Sequence, residues 1–220
     1  MKPSVRLLAS TQLEPDFAEE LGSTNPLKLV EFVGRWDYGE KSIAKMDPND
    51  LSIIQRWMKQ GEQSMLEFVH VEFFVTCSRV VTHELVRHRI ASYQQESQRF
   101  VAYEDENEDD LFYYPDSLNK PEVFDSGAYP YAYQIALSEY RRLRKLGVSK
   151  QDARYVLPNA TRTRINVDMN LRQWRHVLAL RLHSSAQPEM REVMQQIREI
   201  LFERYPQVFE DVTGEERATR

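Results

Sequence analysis

Glycine is scarce in this chain, with seven among 220 residues: Gly22, Gly34, Gly39, Gly61, Gly127, Gly147 and Gly214. A dinucleotide-binding turn of the G-x-G-x-x-G type needs closely clustered glycines, and the sequence has no such cluster. The nearest approach to a phosphate loop is Gly34-Arg35-Trp36-Asp37-Tyr38-Gly39-Glu40-Lys41-Ser42. It carries one residue too many between its second glycine and its lysine, which turns the lysine away from a cradled phosphate. A nucleotide bound here must therefore be met by side chains. Cysteine is scarcer still. The single Cys77 excludes an intramolecular disulfide and a four-cysteine zinc site, and agrees with a reducing compartment. No apolar run approaches the length of a membrane span, and Met1–Ser10 has no long apolar stretch ahead of a cleavage site. These absences predict a cytoplasmic protein without a membrane partner.

What is present is a globular balance: 41% hydrophobic and 29% charged residues with a formal charge of −5. The length allows one substantial domain or two small ones. No repeat or low-complexity linker divides the chain, so a single domain is expected over residues 1–212, with a polar tail over 213–220. Patterning predicts strands at Val5–Ala9, Val69–Thr76, Gln98–Tyr103 and Thr161–Val167. It predicts helices at Pro26–Val33, Asn49–Gln60 with Gly61 as its stop, Arg79–His88, Pro121–Leu146 ended by Gly147, and Gln151–Val156. Two more are expected: one from its N-cap Asn170 to Leu182, and one at Glu189–Tyr205. The acidic run Glu104–Asp110 reads as a solvated loop. The sum is an α+β fold, helices packed on a mainly antiparallel sheet.

Positive charge is concentrated. Arg154, Arg162, Arg164, Arg172, Arg175 and Arg181 face only Asp168 in their segment, and Arg87-His88-Arg89 with Arg99 forms a second cluster. Arginine forks suit phosphate and carboxylate, although a lone arginine is as readily explained by a surface ion pair. At the helical repeat, Leu171, Trp174, Val177 and Leu178 form one apolar stripe with Arg181 in its middle. A buried guanidinium there needs a partner, which is either a structural carboxylate or an anionic or polar ligand. Arg172 and His176 share a separate polar stripe of the same helix. Two other chemistries are set aside. His83 and His88 are five apart rather than four, so they diverge on a helix and no metal site is expected. Cys77 has no evident activating neighbour and reads as a buried, inert thiol.

The segment Arg87-His88-Arg89-Ile90-Ala91-Ser92-Tyr93-Gln94-Gln95-Glu96-Ser97-Gln98-Arg99 resembles the signature of the flavin-dependent thymidylate synthases: Arg-His-Arg, seven residues, Ser, one residue, Arg. Further blocks resemble the family in the same order: Ser64–Glu67, His83–Leu85, Ala153–Thr161, Asn170–His176, Leu180-Arg181 and Ala186-Gln187. The resemblance spans about Pro26 to Ile197. It implies a homotetramer with shared active sites that uses FAD, NADPH and 5,10-methylenetetrahydrofolate to convert dUMP to dTMP. By position it assigns Ser64, Arg87, His88, Arg89, Gln95, Asn170, Arg172 and His176 to FAD. It assigns Glu84, Arg87, Gln95, Glu96, Ser97, Gln98, Arg99, Arg154 and Arg181 to dUMP. Arg181 takes the catalytic place, polarising the uracil and favouring its ionised form. The chain departs from the family pattern at Glu62 and Phe68, in place of histidines, at Glu96, in place of leucine, and at Ser185 and Asp37. Glu96 motivates an alternative, a same-fold enzyme that hydroxymethylates or otherwise modifies a related pyrimidine nucleotide. The basic 154–181 segment motivates another, a non-catalytic nucleotide- or RNA-binding module.

Overall fold

Alternating burial defines the central strands. In β2 (His70–Ser78), after the edge strand β1 (Ser4–Ser10), the residues Val71, Phe73, Val75 and Cys77 point inward. After β3 (Ser92–Gln95), β4 (Arg162–Asn170) buries Thr163, Ile165, Val167 and Met169 in the same way. The four strands form an antiparallel sheet in the order β1-β2-β4-β3. A computed structural model describes residues 1–39, 46–47 and 49–214.

The helices up to the signature are α1 (Pro15–Leu21), α2 (Leu27–Asp37), α3 (Ser52–Lys59) and α4 (Arg79–Leu85). Then come α5 (Glu108–Leu111), α6 (Pro121–Phe124), α7 (Ala128–Lys145) and α8 (Lys150–Ala153). The last three are α9 (Leu171–Arg181), α10 (Pro188–Arg204) and α11 (Pro206–Phe209). Tighter 3-10 turns lie at Ser64–Phe68, Asp116–Asn119 and Arg154–Val156. The expected α+β class is what forms.

The backbone gathers into two compact units, each assembled from separated stretches. The first comprises Met1–Val5, Phe74–His88 and Tyr93–Asn166. Its apolar centre is Tyr103, Leu111, Phe112, Tyr133, Leu137, Tyr140 and Ala153. The second comprises Arg6–Phe73, Arg89–Ser92 and the chain from Val167 onward. There the Trp174 ring meets Phe73 edge-on at 5.2 Å between centroids, and its indole N–H donates to the Val71 carbonyl at 3.0 Å. Glycine has a packing role in this unit: a Cβ on Gly34 would stand 2.5 Å from the Trp57 ring, so α2 and α3 approach only because none is there. Gly34 thus lies inside a helix, which removes the phosphate-loop reading, and Glu40, Lys41 and Ser42 of that stretch lie outside the described residues.

Three expectations need correction. Gln98–Tyr103 is not a strand, because the Phe100 and Val101 amides both donate to the Ser97 carbonyl at 3.0 Å and close a turn. The strand of this region is β3, earlier in the signature. Pro121–Leu146 is not one helix: Gly127 adopts φ +65, a left-handed conformation that separates α6 from α7. The acidic run is no free loop. Glu104 pairs with Arg144 at 2.6 Å, Glu106 with Arg162 at 2.7 Å, and Arg141 donates to the carbonyls of both glutamates at 2.8 Å. The expected tail overlaps residues 215–220, which lie outside the described residues.

Candidate active site

In the first unit, the stretches of the signature that belong to it, Arg87-His88 and Tyr93–Arg99, are held by hydrogen bonds to the elements around them. α4 follows β2 directly, and its first amides are taken by the Thr161 carbonyl (Arg79 N–H, 3.0 Å) and the Asn159 carbonyl (Val80 N–H, 3.2 Å). After α4 the chain turns, with the Arg87 amide donating to the Glu84 carbonyl at 3.3 Å and the His88 amide to the Leu85 carbonyl at 3.1 Å. The Tyr93 hydroxyl bridges the same turn, donating to the carbonyls of Leu85 at 2.8 Å and His88 at 2.9 Å. Burial pushes the Tyr93 phenol up to about 12, which keeps it a donor. Arg87 is exposed, and its guanidinium has no hydrogen bond or ion pair among the described residues. Glu84 and His88 are half-buried beside it.

Gln95 donates its side-chain N–H to the hydroxyls of Thr82 at 3.0 Å and Thr163 at 3.2 Å, and its side-chain carbonyl oxygen has no hydrogen bond among the described residues. Glu96 is the departure that most invited a functional reading, and both of its oxygens are already used. Oε1 accepts from the Tyr103 hydroxyl at 3.1 Å and Oε2 pairs with Arg164 at 2.9 Å. Tyr103 is fully buried, and burial together with Glu96 pushes its phenol well above the ordinary value. The Ser97 hydroxyl accepts from the Arg99 amide at 3.3 Å, and Gln98 is buried.

Gln151 then draws together two predicted arginines that are far apart in sequence. Arg99 Nε donates to its side-chain oxygen at 3.0 Å, and Arg154 Nε donates to its backbone carbonyl at 3.0 Å. Lys150 holds the loop from below, donating to the Phe100 carbonyl at 2.8 Å. Among the described residues, neither Arg99 nor Arg154 has an acidic partner. Sequence reasoning missed Gln151 and Lys150, because scaffold residues on a one-turn helix leave no pattern.

In the second unit, Ser64 is exposed at the start of the 3-10 turn that leads into β2. Glu67 of that turn pairs with Arg172 at 2.5 Å, both half-exposed. Asn170 caps α9 as expected, its side-chain oxygen accepting from the Gln173 amide at 2.8 Å. Arg172 and His176 share the exposed face of α9, and Arg89 is exposed with no hydrogen bond or ion pair among the described residues. Arg181 needs correction: it is half-buried rather than buried, because it is the last residue of α9, where the apolar stripe leaves the core. Arg175 is a fold residue. It forks onto Asp211 at 2.6 and 2.7 Å and holds that carboxyl below its usual range. Of the other departures, Glu62 accepts from the Tyr38 hydroxyl and Ser185 Oγ sits 2.8 Å from His183 Nδ1.

The sequence agrees in detail with known proteins. Residues 21–207 match the family described as thymidylate synthase complementing protein. The flavin-dependent thymidylate synthase of Pyrococcus furiosus is 40% identical over 168 residues, covering 75% of this chain and 67% of that protein. The one from Mycolicibacterium vanbaalenii is 35% identical over 226 residues, covering 94% and 88%. The chain belongs to the flavin-dependent thymidylate synthase family. A crystal structure described as a UMP/dUMP methylase PolB from Streptomyces cacaoi bound with 5-Br dUMP shares the fold. It has a TM-score of 0.77 over 100% of this chain and 98% of that one, at 24% identity. As a flavin-dependent thymidylate synthase the chain is a flavin-using transferase. Among the described residues, no group of three His, Cys, Asp or Glu side chains is placed to hold a metal ion. Among them, too, no helix is long and apolar enough to cross a membrane.

Proposed function

We propose that this flavin-dependent thymidylate synthase converts dUMP to dTMP, taking its carbon from 5,10-methylenetetrahydrofolate and its reducing equivalents from NADPH through bound FAD. We place it in the cytoplasm, residues 1–212 acting as one domain of a homotetramer with shared active sites. The observation that carries this reading is how the arginines divide. Arg144, Arg162, Arg164 and Arg175 are occupied by Glu104, Glu106, Glu96 and Asp211. Arg87, Arg89, Arg99 and Arg154, all assigned from the signature and its blocks, have no acidic partner among the described residues. Guanidinium groups left open in this way are the donor set that a pyrophosphate and a nucleotide phosphate require where no glycine loop exists.

The donor chemistry fits a flavin dinucleotide. Arg87 and Arg89 would meet its pyrophosphate, with Ser64, His88, Gln95, Asn170, Arg172 and His176 as further contacts. When bound, the flavin supplies the hydride that turns the transferred methylene into a methyl group. Arg99 and Arg154, steadied by Gln151, hold the phosphate of dUMP, with Glu84, Arg87, Gln95, Ser97, Gln98 and the backbone of Glu96 forming the rest of its site. Arg181, half-buried at the end of an apolar stripe, stabilises negative charge on the pyrimidine ring and so favours its ionised form. Cys77 is fully buried in β2, which agrees with a route that uses no cysteine nucleophile.

The hydroxymethylation alternative loses its motive, because Glu96 is spent on Tyr103 and Arg164. The RNA-binding alternative loses its motive because the basic segment is largely neutralised by acids remote in sequence. The test is direct: protein reconstituted with FAD should be yellow and should form dTMP from dUMP, NADPH and the folate, with product mass confirming a methyl group. Failure to retain flavin overturns the proposal. Arg181→Ala is expected to keep FAD and lose turnover by about a hundredfold or more. Wild-type turnover in that variant refutes the role of Arg181.

A further inference from the structure

After α11 the chain returns to the helix that carries Arg181, and it is tied to that helix at separate points. Arg175 of α9 forks onto Asp211 at 2.6 and 2.7 Å and also donates to the Val208 carbonyl. About two turns further along, Leu182 closes α9, its amide donating to the Leu178 carbonyl at 2.9 Å. Gly214 lies directly against that closing residue. A Cβ on Gly214 would stand 2.5 Å from Leu182 Cβ, and 2.9 and 3.1 Å from the Leu182 carbonyl carbon and oxygen. None of these atoms is the free end of a flexible side chain, so a side chain at 214 must displace the helix end. Gly214 also takes φ +82, which glycine adopts without strain. Between the two ties Val212 is buried, and its carbonyl accepts from Arg198 Nε of α10 at 2.5 Å. The stretch from Val208 to Gly214 is thus a strap, held by α10 and closed on α9 at Arg175 and Leu182.

The place of closure matters because of what precedes it. Arg181 is the last residue of α9 and adjoins Leu182. The final carbonyls of a helix lack intrahelical partners, so the last turn is where a helix frays unless something fixes it. Arg175 fixes the middle of α9, and Gly214 meets its end. We infer that Gly214 is a positioning residue for Arg181: bare of a side chain, it seats the strap on Leu182 and so fixes the direction of the Arg181 guanidinium. The inference rests on the role of Arg181 proposed above. A cation stabilises charge on a ring only from a set distance and direction, so a small shift of the helix end reaches the reaction without any loss of contact to substrate.

The test uses the full chain loaded with FAD and compares wild type with Gly214→Ala, Arg198→Met and Gly127→Ala. Gly127 also has positive φ but open space around it, so its variant carries backbone strain without pressing on α9. The readouts are flavin retention, kcat, the urea midpoint and the pH at which bound dUMP loses its ring proton. The last is followed by the carbonyl resonances of isotope-labelled dUMP. Gly214→Ala should keep FAD and lose kcat by about ten- to thirtyfold. Its bound dUMP should lose the ring proton at higher pH than in wild type, because a displaced cation favours the ring anion less. Arg198→Met keeps the apolar stem but frees the strap, and should move both readouts the same way by a smaller factor. Gly127→Ala should lower the urea midpoint and leave both readouts at wild-type values. Wild-type kcat and ring ionisation in Gly214→Ala, or equal changes in Gly127→Ala, overturn the inference. If Gly214→Ala does not fold, Arg198→Met decides, and unchanged readouts there overturn it. Arg181→Ala with wild-type ring ionisation would instead overturn the proposed role of Arg181, a result distinct from any difference among the strap variants.

Discussion

Replacing Glu96 by leucine should cost stability and leave the reaction outcome unchanged. The carboxylate has two duties of unequal weight. The Tyr103 hydroxyl belongs to a fully buried residue and donates to Glu96 Oε1 at 3.1 Å. Without that acceptor a buried donor is stranded, at a cost of about 1–3 kcal/mol. Arg164 is 44% exposed on its side chain, so losing its partner is worth at most about 1 kcal/mol. Glu96→Leu is therefore expected to lower unfolding stability by about 2–3 kcal/mol, most of it through Tyr103. Tyr103→Phe tests the apportionment. Removing both polar groups leaves nothing stranded, so the double variant should be more stable than the two single losses summed, by about 1–2 kcal/mol. Urea unfolding at constant slope measures all four proteins. Strict additivity would refute the assignment of Glu96 as the acceptor for Tyr103. A product other than the methylated nucleotide from Glu96→Leu would return Glu96 to the base pocket.

Two further outcomes follow from the same geometry. Gln151→Glu places a carboxylate between Arg99 and Arg154 and should weaken dUMP by roughly five- to tenfold while flavin is retained, as titration of the flavin spectrum would show. An unchanged dUMP affinity would mean that Gln151 does not organise the pair. Tyr93→Phe removes the bridge to Leu85 and His88 and should cost about 1–2 kcal/mol. Because the Tyr93 phenol is raised from 10.0 to about 12, its contribution is complete below about pH 10 and is lost as pH rises through about 12. Thermal melts across that range should fall less steeply for Tyr93→Phe than for wild type. Parallel curves would contradict the buried-donor role of Tyr93.

Much of this was legible in the residues because the signals are local. Alternation placed β2 and β4, Asn170 announced the cap it forms, and the spacing from Arg87 to Arg99 carried the family resemblance. The errors arose where a remote partner overrode a local pattern. Gln98–Tyr103 alternates like a strand, yet Ser97 satisfies its amides in a turn. Glu104–Asp110 is as polar as a solvated loop, yet α7 and β4 present arginines that seat it. Arg181 lies on an apolar stripe, but the helix ends there.

The shortage of glycine and the single cysteine determined from sequence alone that nucleotide phosphates must be met by side chains and that no disulfide staples the fold. The arginines were visible as candidates in the same way. Only the tertiary structure decided which of them are free for a ligand, because charge compensation is set by distance in space. Glu96, Glu106 and Asp211 reach their arginines across the fold and withdraw Arg164, Arg162 and Arg175 from service. Gln151 meanwhile gathers Arg99 and Arg154, which stand 55 residues apart in sequence.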